Sequence, residues 1–318
     1  MRRREFLAGL GLLPFLPYAC EPRRSALALA LATADTESHV VVLNAATGRV
    51  RARLATLEEP RSIEWAGGGR AVVAHTTSGA VSLLEGPPMR VRRVLTDMFE
   101  PRYTAVSPDQ KLAYVTDSGT GEVRVIDLER GRVAGGAEVG ALARHLTIAP
   151  DGRTLWVALG KQAEAVAVVD LTEPRRPRTR GLLHPPFLAH DVACSPGGKR
   201  LWISSGDQRQ LALYQRGRAR PLAVLAAGAP PQHVSFGIGR AYVASGDDGS
   251  LTVQRIGDGR VLARTSVAKG SYNVQHGAGL VTTPSLDDGT VTIASERGRV
   301  LARSQIAPAA HDACLIRA

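Results

Sequence analysis

The sequence lacks most of the devices that catalytic or small exported proteins lean on. Of its 318 residues only three are cysteine, at positions 20, 194 and 314, too few for a disulfide framework. A chain of this length buries roughly three quarters of its unfolded surface and needs no such staples. After residue 20 no stretch approaches the ~18 consecutive apolar residues of a spanning helix. There is no G-x-S-x-G, P-loop, C-x-x-C or C-x-x-C-H motif. This excludes the usual hydrolase nucleophile turn, a phosphate cradle, a thioredoxin-like redox pair and covalent haem attachment. Lysine is scarce too, at four of the forty basic residues.

What is present describes a globular chain. It is 44% apolar and 22% charged, with 33 glycines and 19 prolines scattered throughout, a composition that excludes a disordered tail or a coiled coil and suits many short strands joined by turns. The net charge is +11, but the basic residues are dispersed, which argues against a nucleic-acid partner. Two readings of the arginine excess stay open: a solvated basic surface, or a site lined for an anionic ligand.

Residues 1–19 read as an export signal. Arg2, Arg3 and Arg4 precede an apolar run from Phe6, and Arg3-Arg4-Glu5-Phe6-Leu7 resembles the twin-arginine pattern of signals that export folded cargo. Leu16-Pro17-Tyr18-Ala19-Cys20 resembles a lipobox, so Cys20 is expected to carry a lipid, with residues 20–24 as a linker. Membrane contact is then through the anchor alone. The expected location is the periplasmic or extracellular side of the cytoplasmic membrane. Removing residues 1–19 takes away three arginines and one glutamate and leaves a charge of +9.

Internal repetition dominates residues 25–318. Ala105–Val115, Thr147–Val157 and Ala193–Ile203 each read strand, tight turn, strand, with Ser-Pro-Asp, Ala-Pro-Asp and Ser-Pro-Gly at the turn. The flanking apolar residues alternate with period 2. A third strand follows, as in Glu122–Leu128, Ala165–Leu171, Leu211–Gln215 and Ser250–Ile256, and then a fourth, as in Arg132–Val139 and Arg260–Val267. Four strands in about 40 residues is one propeller blade. The first strands open at Arg61, Arg102, Arg144, His190, Gln232, Tyr272 and His311, with spacings of 41, 42, 46, 42, 40 and 39. The seventh unit has one strand left, His311–Arg317. The missing three lie at the other end, in Ala26–Ala32, Val40–Asn44 and Arg49–Leu57. The expectation is an all-β, seven-bladed β-propeller of four-stranded blades, monomeric, closed by N-terminal strands and an innermost C-terminal strand. Deleting the last eight residues should unlatch it. Cys194 and Cys314 fall on non-adjacent blades and are expected to be buried free thiols.

The stretch Ser107–Asp117, Ser-Pro-Asp followed by Tyr-Val-Thr-Asp, resembles the YVTN repeat of YncE-like and surface-layer-type propellers. The repeat is also similar to those of streptogramin lyases, lactonases and NirF-type haem-handling propellers. The resemblance implies that first-strand starts gather at one mouth of a central channel. That places two columns there. The first is Arg61, Arg102, Arg144, His190, Gln232, Tyr272 and His311; the second is Ser62, Tyr103, His145, Asp191, His233, Asn273 and Asp312. Four of the eight histidines fall in these columns.

The resulting contact set is Arg61, Arg102, Arg144, His145, His190, Asp191, His233, His311 and Asp312. It suits an anionic small molecule, a cofactor or a protein partner. If a divalent metal binds, His190, His233 and His311 are the expected ligands, and the resemblance then implies a metal-dependent lyase or lactonase. Arginine pairing with tetrapyrrole carboxylates would instead imply NirF-like haem handling. A third possibility is that these histidines serve only blade packing and turn hydrogen bonds.

Overall fold

The computed structural model describes residues 28–317; the expected export signal (1–19), Cys20 and the expected linker (20–24) lie outside them. Every regular element is a β-strand, and the 28 strands form seven four-stranded antiparallel sheets. Six blades run inside to outside in chain order, over residues 60–95, 101–138, 143–183, 191–226, 234–266 and 275–305 (blades 1 to 6). Blade 7 is composite: the C-terminal strand Ala310–Arg317 lies innermost, followed by Ala28–Ala34, His39–Asn44 and Val50–Ala55. The N-terminal strand pairs with the C-terminal one from Ala28↔Arg317 through Leu31↔Cys314, with a bulge near Ala34. This pairing leaves no open seam in the ring.

The turns explain the repeat. In the Ser-Pro-Asp, Ala-Pro-Asp and Ser-Pro-Gly hairpins the fourth residue takes a left-handed φ: +59° at Gln110, +70° at Gly152 and +67° at Gly198. Each donates its amide back to Ser107, Ala149 or Ser195 at 2.8 Å. Proline presets the first turn dihedral, and glycine takes the left-handed position without steric penalty.

Each blade contributes two apolar faces, so the core is divided among the blade interfaces rather than pooled in one centre. Trp156, Ala158 and Val166 of blade 3 pack on Leu201, Ile203 and Tyr214 of blade 4. Leu31 and Cys314 of blade 7 pack on Ile63 and Val73 of blade 1. The outer strands, such as Val50–Ala55 and Arg90–Leu95, are largely exposed and rich in arginine, which keeps those edges soluble. Cys194 and Cys314 are free, on blades 4 and 7. Cys314 is buried as expected, whereas Cys194 is half-buried.

Candidate functional site

The first strands bring the two polar columns to one end of the central channel. All seven residues of the second column, from Ser62 to Asp312, line the channel. Six of the first, Arg61, Arg144, His190, Gln232, Tyr272 and His311, line a mouth of about 400 Å³ next to it. Tyr103, His233 and Asn273 border both spaces. They form the floor of the mouth and the roof of the channel.

Several column residues clasp one blade to another. His145 of blade 3 donates Nδ1–H to the carbonyl of His190 on blade 4, at 2.5 Å. Asp191 of blade 4 accepts the amide of Val234 on blade 5 through Oδ2, at 3.0 Å. Asn273 of blade 6 donates to the carbonyl of His311 on blade 7, at 2.7 Å. Asp312 of blade 7 accepts the amide of Ile63 on blade 1, at 3.0 Å. Asp191 and Asp312 also accept the amides of Val192 and Ala313, each at 2.8 Å. Asp312 is therefore occupied in bracing the ring. Asp191 does this and also faces His233.

The histidines have a second nitrogen to offer. A carbonyl oxygen can only accept, so each imidazole bonded to one must carry its proton on that nitrogen. His145 donates Nδ1–H to His190, His190 to the carbonyl of Lys161 at 3.0 Å, and His311 to the carbonyl of Arg61 at 2.6 Å. Nδ1 of His233 lies 3.5 Å from Asp191 Oδ2. All four rings are thus held by Nδ1 and present Nε2. One ring nitrogen from each of His145, His190 and His233 lies within 4.8 Å of the other two. The ring centroids are 4.5 to 5.3 Å apart.

His145 Nε2 is buried and has no hydrogen-bond partner, an arrangement that costs free energy unless something fills it. Burial, reinforced by His233, holds His145 well below the usual imidazole range and brings His190 down to about 3. Both are neutral, the form that ligates metal. Burial opposes the charge of Asp191, but His233 and the Val234 amide hold its carboxyl below the ordinary value. A carboxylate behind a histidine in this way fixes the tautomer and raises the basicity of the outward nitrogen.

The trio differs from the expected metal ligands in one member. His145 joins His190 and His233, whereas His311 sits apart, on blade 7, beside Arg61. The trio occupies the consecutive blades 3, 4 and 5, at depths that alternate between the second and first columns.

The arginines separate as well. Arg61 is held by Asp35 at 3.5 Å and Glu59 at 3.9 Å. Arg102 turns to Glu100 and does not line the mouth. Arg144 lines the mouth and, among the described residues, has no carboxylate within 4.0 Å. Residues outside the expected set complete the wall: Lys161, Gln162, Asp207, Asp247 and Asp287. They sit in the loops after the second strands of blades 3 to 6. A place after a second strand marks Asp247 as a same-face residue, and the same rule reaches Lys161, Gln162, Asp207 and Asp287.

Deeper in the channel, burial raises Glu64 to about 7 and Asp312 to about 8. Glu64 is bonded by Gln275 at 3.0 Å. In the unfolded chain these groups lose their protons near 4.5 and 3.8. The folded state therefore holds protons that the unfolded state has lost, and stability falls as pH rises from about 4 to 8. Buried His75, pushed down to about 4, and His145, His190 and His311, also held below the ordinary imidazole value by burial, act in the opposite sense, but only below about 6.5, so the carboxyl effect stands clear above that pH. Between pH 6.5 and 8.5 the urea midpoint of the metal-free protein should fall, and Glu64→Gln should flatten the decline. A midpoint that is level or rises over that window would contradict this account of the channel carboxyls.

No family model and no curated sequence matches this chain. Solved structures do share its fold. Hydrazine synthase of Kuenenia stuttgartiensis matches at 16% identity, covering 81% of this chain and 95% of that one, with a TM-score of 0.68. A functionally unknown protein from Desulfotomaculum acetoxidans matches at 8% identity, covering 91% and 99%, with a TM-score of 0.80. Apo AztD from Citrobacter koseri matches at 10% identity, covering 91% and 98%, with a TM-score of 0.69. At these identities the chain is similar to them in fold, that of a seven-bladed β-propeller.

Proposed function

We propose that this protein binds one divalent transition metal ion, of the zinc class, through Nε2 of His145, His190 and His233 at the base of the mouth. The observation that carries the reading is the convergence of three imidazoles, two bonded through Nδ1 to carbonyls and the third facing Asp191 through Nδ1, around an unpartnered buried Nε2. Three nitrogen ligands leave a fourth tetrahedral position facing the mouth. The twin-arginine-like Arg3–Leu7 stretch and the lipobox-like Leu16–Cys20 stretch support a role in the cell envelope, where an anchored propeller would hold or pass on the ion. The anionic-ligand reading of the mouth is retained on Arg144.

A lyase or lactonase would use the same open position. Holding the ion is favoured because the carboxylate that reaches the trio, Asp191, already accepts from the Val192 and Val234 amides and faces His233 Nδ1, away from the open side. A tetrapyrrole fits less well, since the three nitrogens converge on one point rather than flanking a plane. The test is competition between the protein and a chromophoric zinc chelator. Binding of one equivalent with a dissociation constant of about 1 μM or below supports the reading. Weak binding with no defined stoichiometry would return the histidines to blade packing.

A further inference from the structure

Three basic groups reach the mouth wall: Arg61, Arg144 and Lys161. Arg61 has its own carboxylates. Arg144 does not, and its Nε is buried with no hydrogen-bond partner. Its guanidinium lies 5.9 Å above the ring of Tyr103, which is itself 4.1 Å from the ring of His145 and 5.7 Å from that of His233. A half-buried guanidinium with no carboxylate partner thus stands beside Tyr103, which borders the mouth and packs on two of the three histidines.

The acidic groups of the mouth belong to other blades. Asp207 is bonded by Gln162, and Asp247 accepts from Gln232 at 3.1 Å. Asp287 follows the second strand of blade 6. None of these carboxylates pairs with Arg144. The charge balance is also incomplete on the metal side. Imidazoles ligate in the neutral form, so of a bound ion's double charge Asp191, facing His233, offsets one unit at most, and the guanidinium of Arg144 lies on the wall of the same mouth. Burial lowers the pKa of Arg144, with Tyr103 acting against it and Arg102 and Arg61 reinforcing it.

We propose that a small carboxylate anion completes the site, with one oxygen on the open position of the metal held by His145, His190 and His233 and the other hydrogen-bonded by Arg144. This rests on the metal reading and specifies its fourth ligand. A carboxylate matches both partners: its oxygens are good ligands for a zinc-class ion, and its planar pair of acceptors fits the guanidinium fork. Metal and anion then reinforce each other. By linkage each raises the affinity of the other by the same factor.

The experiment uses the mature protein loaded with cobalt(II) in a non-coordinating buffer, titrated with acetate and followed by the visible absorption of the ion. A saturable spectral change is expected. Arg144→Gln should weaken acetate by roughly ten- to a hundredfold, while cobalt in acetate-free buffer should bind no more weakly than in the parent, because a nearby positive charge has been removed. Arg144→Lys, which keeps the charge but not the fork, should fall between and serves if the glutamine variant does not fold. A cobalt spectrum indifferent to acetate would overturn the proposal, as would an acetate constant unchanged in both variants; Arg144 would then be a packing partner of Tyr103. Failure of cobalt to bind at all would overturn the metal reading and this proposal with it.

Discussion

Replacing His190 or His233 by alanine is expected to lower zinc affinity at least a hundredfold. Loss of a partner one shell further out typically costs ten- to a hundredfold, and these variants remove a ligand outright. His190 reaches the Lys161 carbonyl of blade 3 at 3.0 Å and His233 faces Asp191 of blade 4 at 3.5 Å, so each variant loses one contact between blades; the Asp191–Val234, Asn273–His311 and Asp312–Ile63 clasps remain, and both variants should fold. His145→Ala loses the shorter 2.5 Å bond from blade 3 to blade 4; it should lose metal and the most stability of the three. His276, paired with Glu296 at 2.9 Å, lines a separate space around Glu64, Trp65 and Cys314. Its alanine variant should bind zinc as the parent does. The measurement is chelator competition across the four variants. Parental affinity in both His190→Ala and His233→Ala would remove the basis for the site.

Deleting residues 311–318 is expected to prevent stable folding. The segment supplies most of the innermost strand of blade 7, including buried Cys314, Leu315 and Ile316, and the Asp312 clasp to blade 1. Its removal exposes the inner edge of Ala28–Ala34 and opens the apolar interfaces on both sides of the composite blade. Burying each large side chain contributes about 2 kcal/mol, and the lost clasp leaves the Ile63 amide unpaired at about 1–3 kcal/mol. The sum reaches the 5–15 kcal/mol that holds an ordinary domain together. A milder variant, Ile316→Ala, should cost about 2–5 kcal/mol and still fold. Circular dichroism and urea unfolding would check both. A truncated chain with the parent's cooperative transition would show that the termini do not close the ring.

The fold was legible because the physics that builds a blade repeats along the chain. Proline and a left-handed residue recur at fixed positions in the turns at Pro108, Pro150 and Pro196, and apolar residues alternate on either side. Counting strand openings then required the termini to share a blade. Strand ends were less legible. The first strand runs on past Ala32 to Ala34, because its pairing with the C-terminal strand continues to Ala34↔Ala310.

The same counting brought the two polar columns to one mouth, as column position depends only on where each first strand begins. It could not select His145 over His311. That choice depends on which rings share a depth in neighbouring blades and on which nitrogen a carbonyl in the next blade holds. Nor could it show that Arg61 and Arg102 are neutralised while Arg144 is not. Asp35, Glu59 and Glu100 lie in the connections between strands, outside any repeat column. Tyr103 was visible in its column, but its packing between Arg144 and the histidines belongs to tertiary structure alone.

The most direct test of the three-histidine centre is X-ray absorption at the zinc edge on protein loaded with one equivalent. The expected spectrum has three imidazole nitrogens at about 2.0 Å, with their outer-ring scattering, and one oxygen. A shell of oxygens without imidazole scattering, or one containing sulfur, would contradict it.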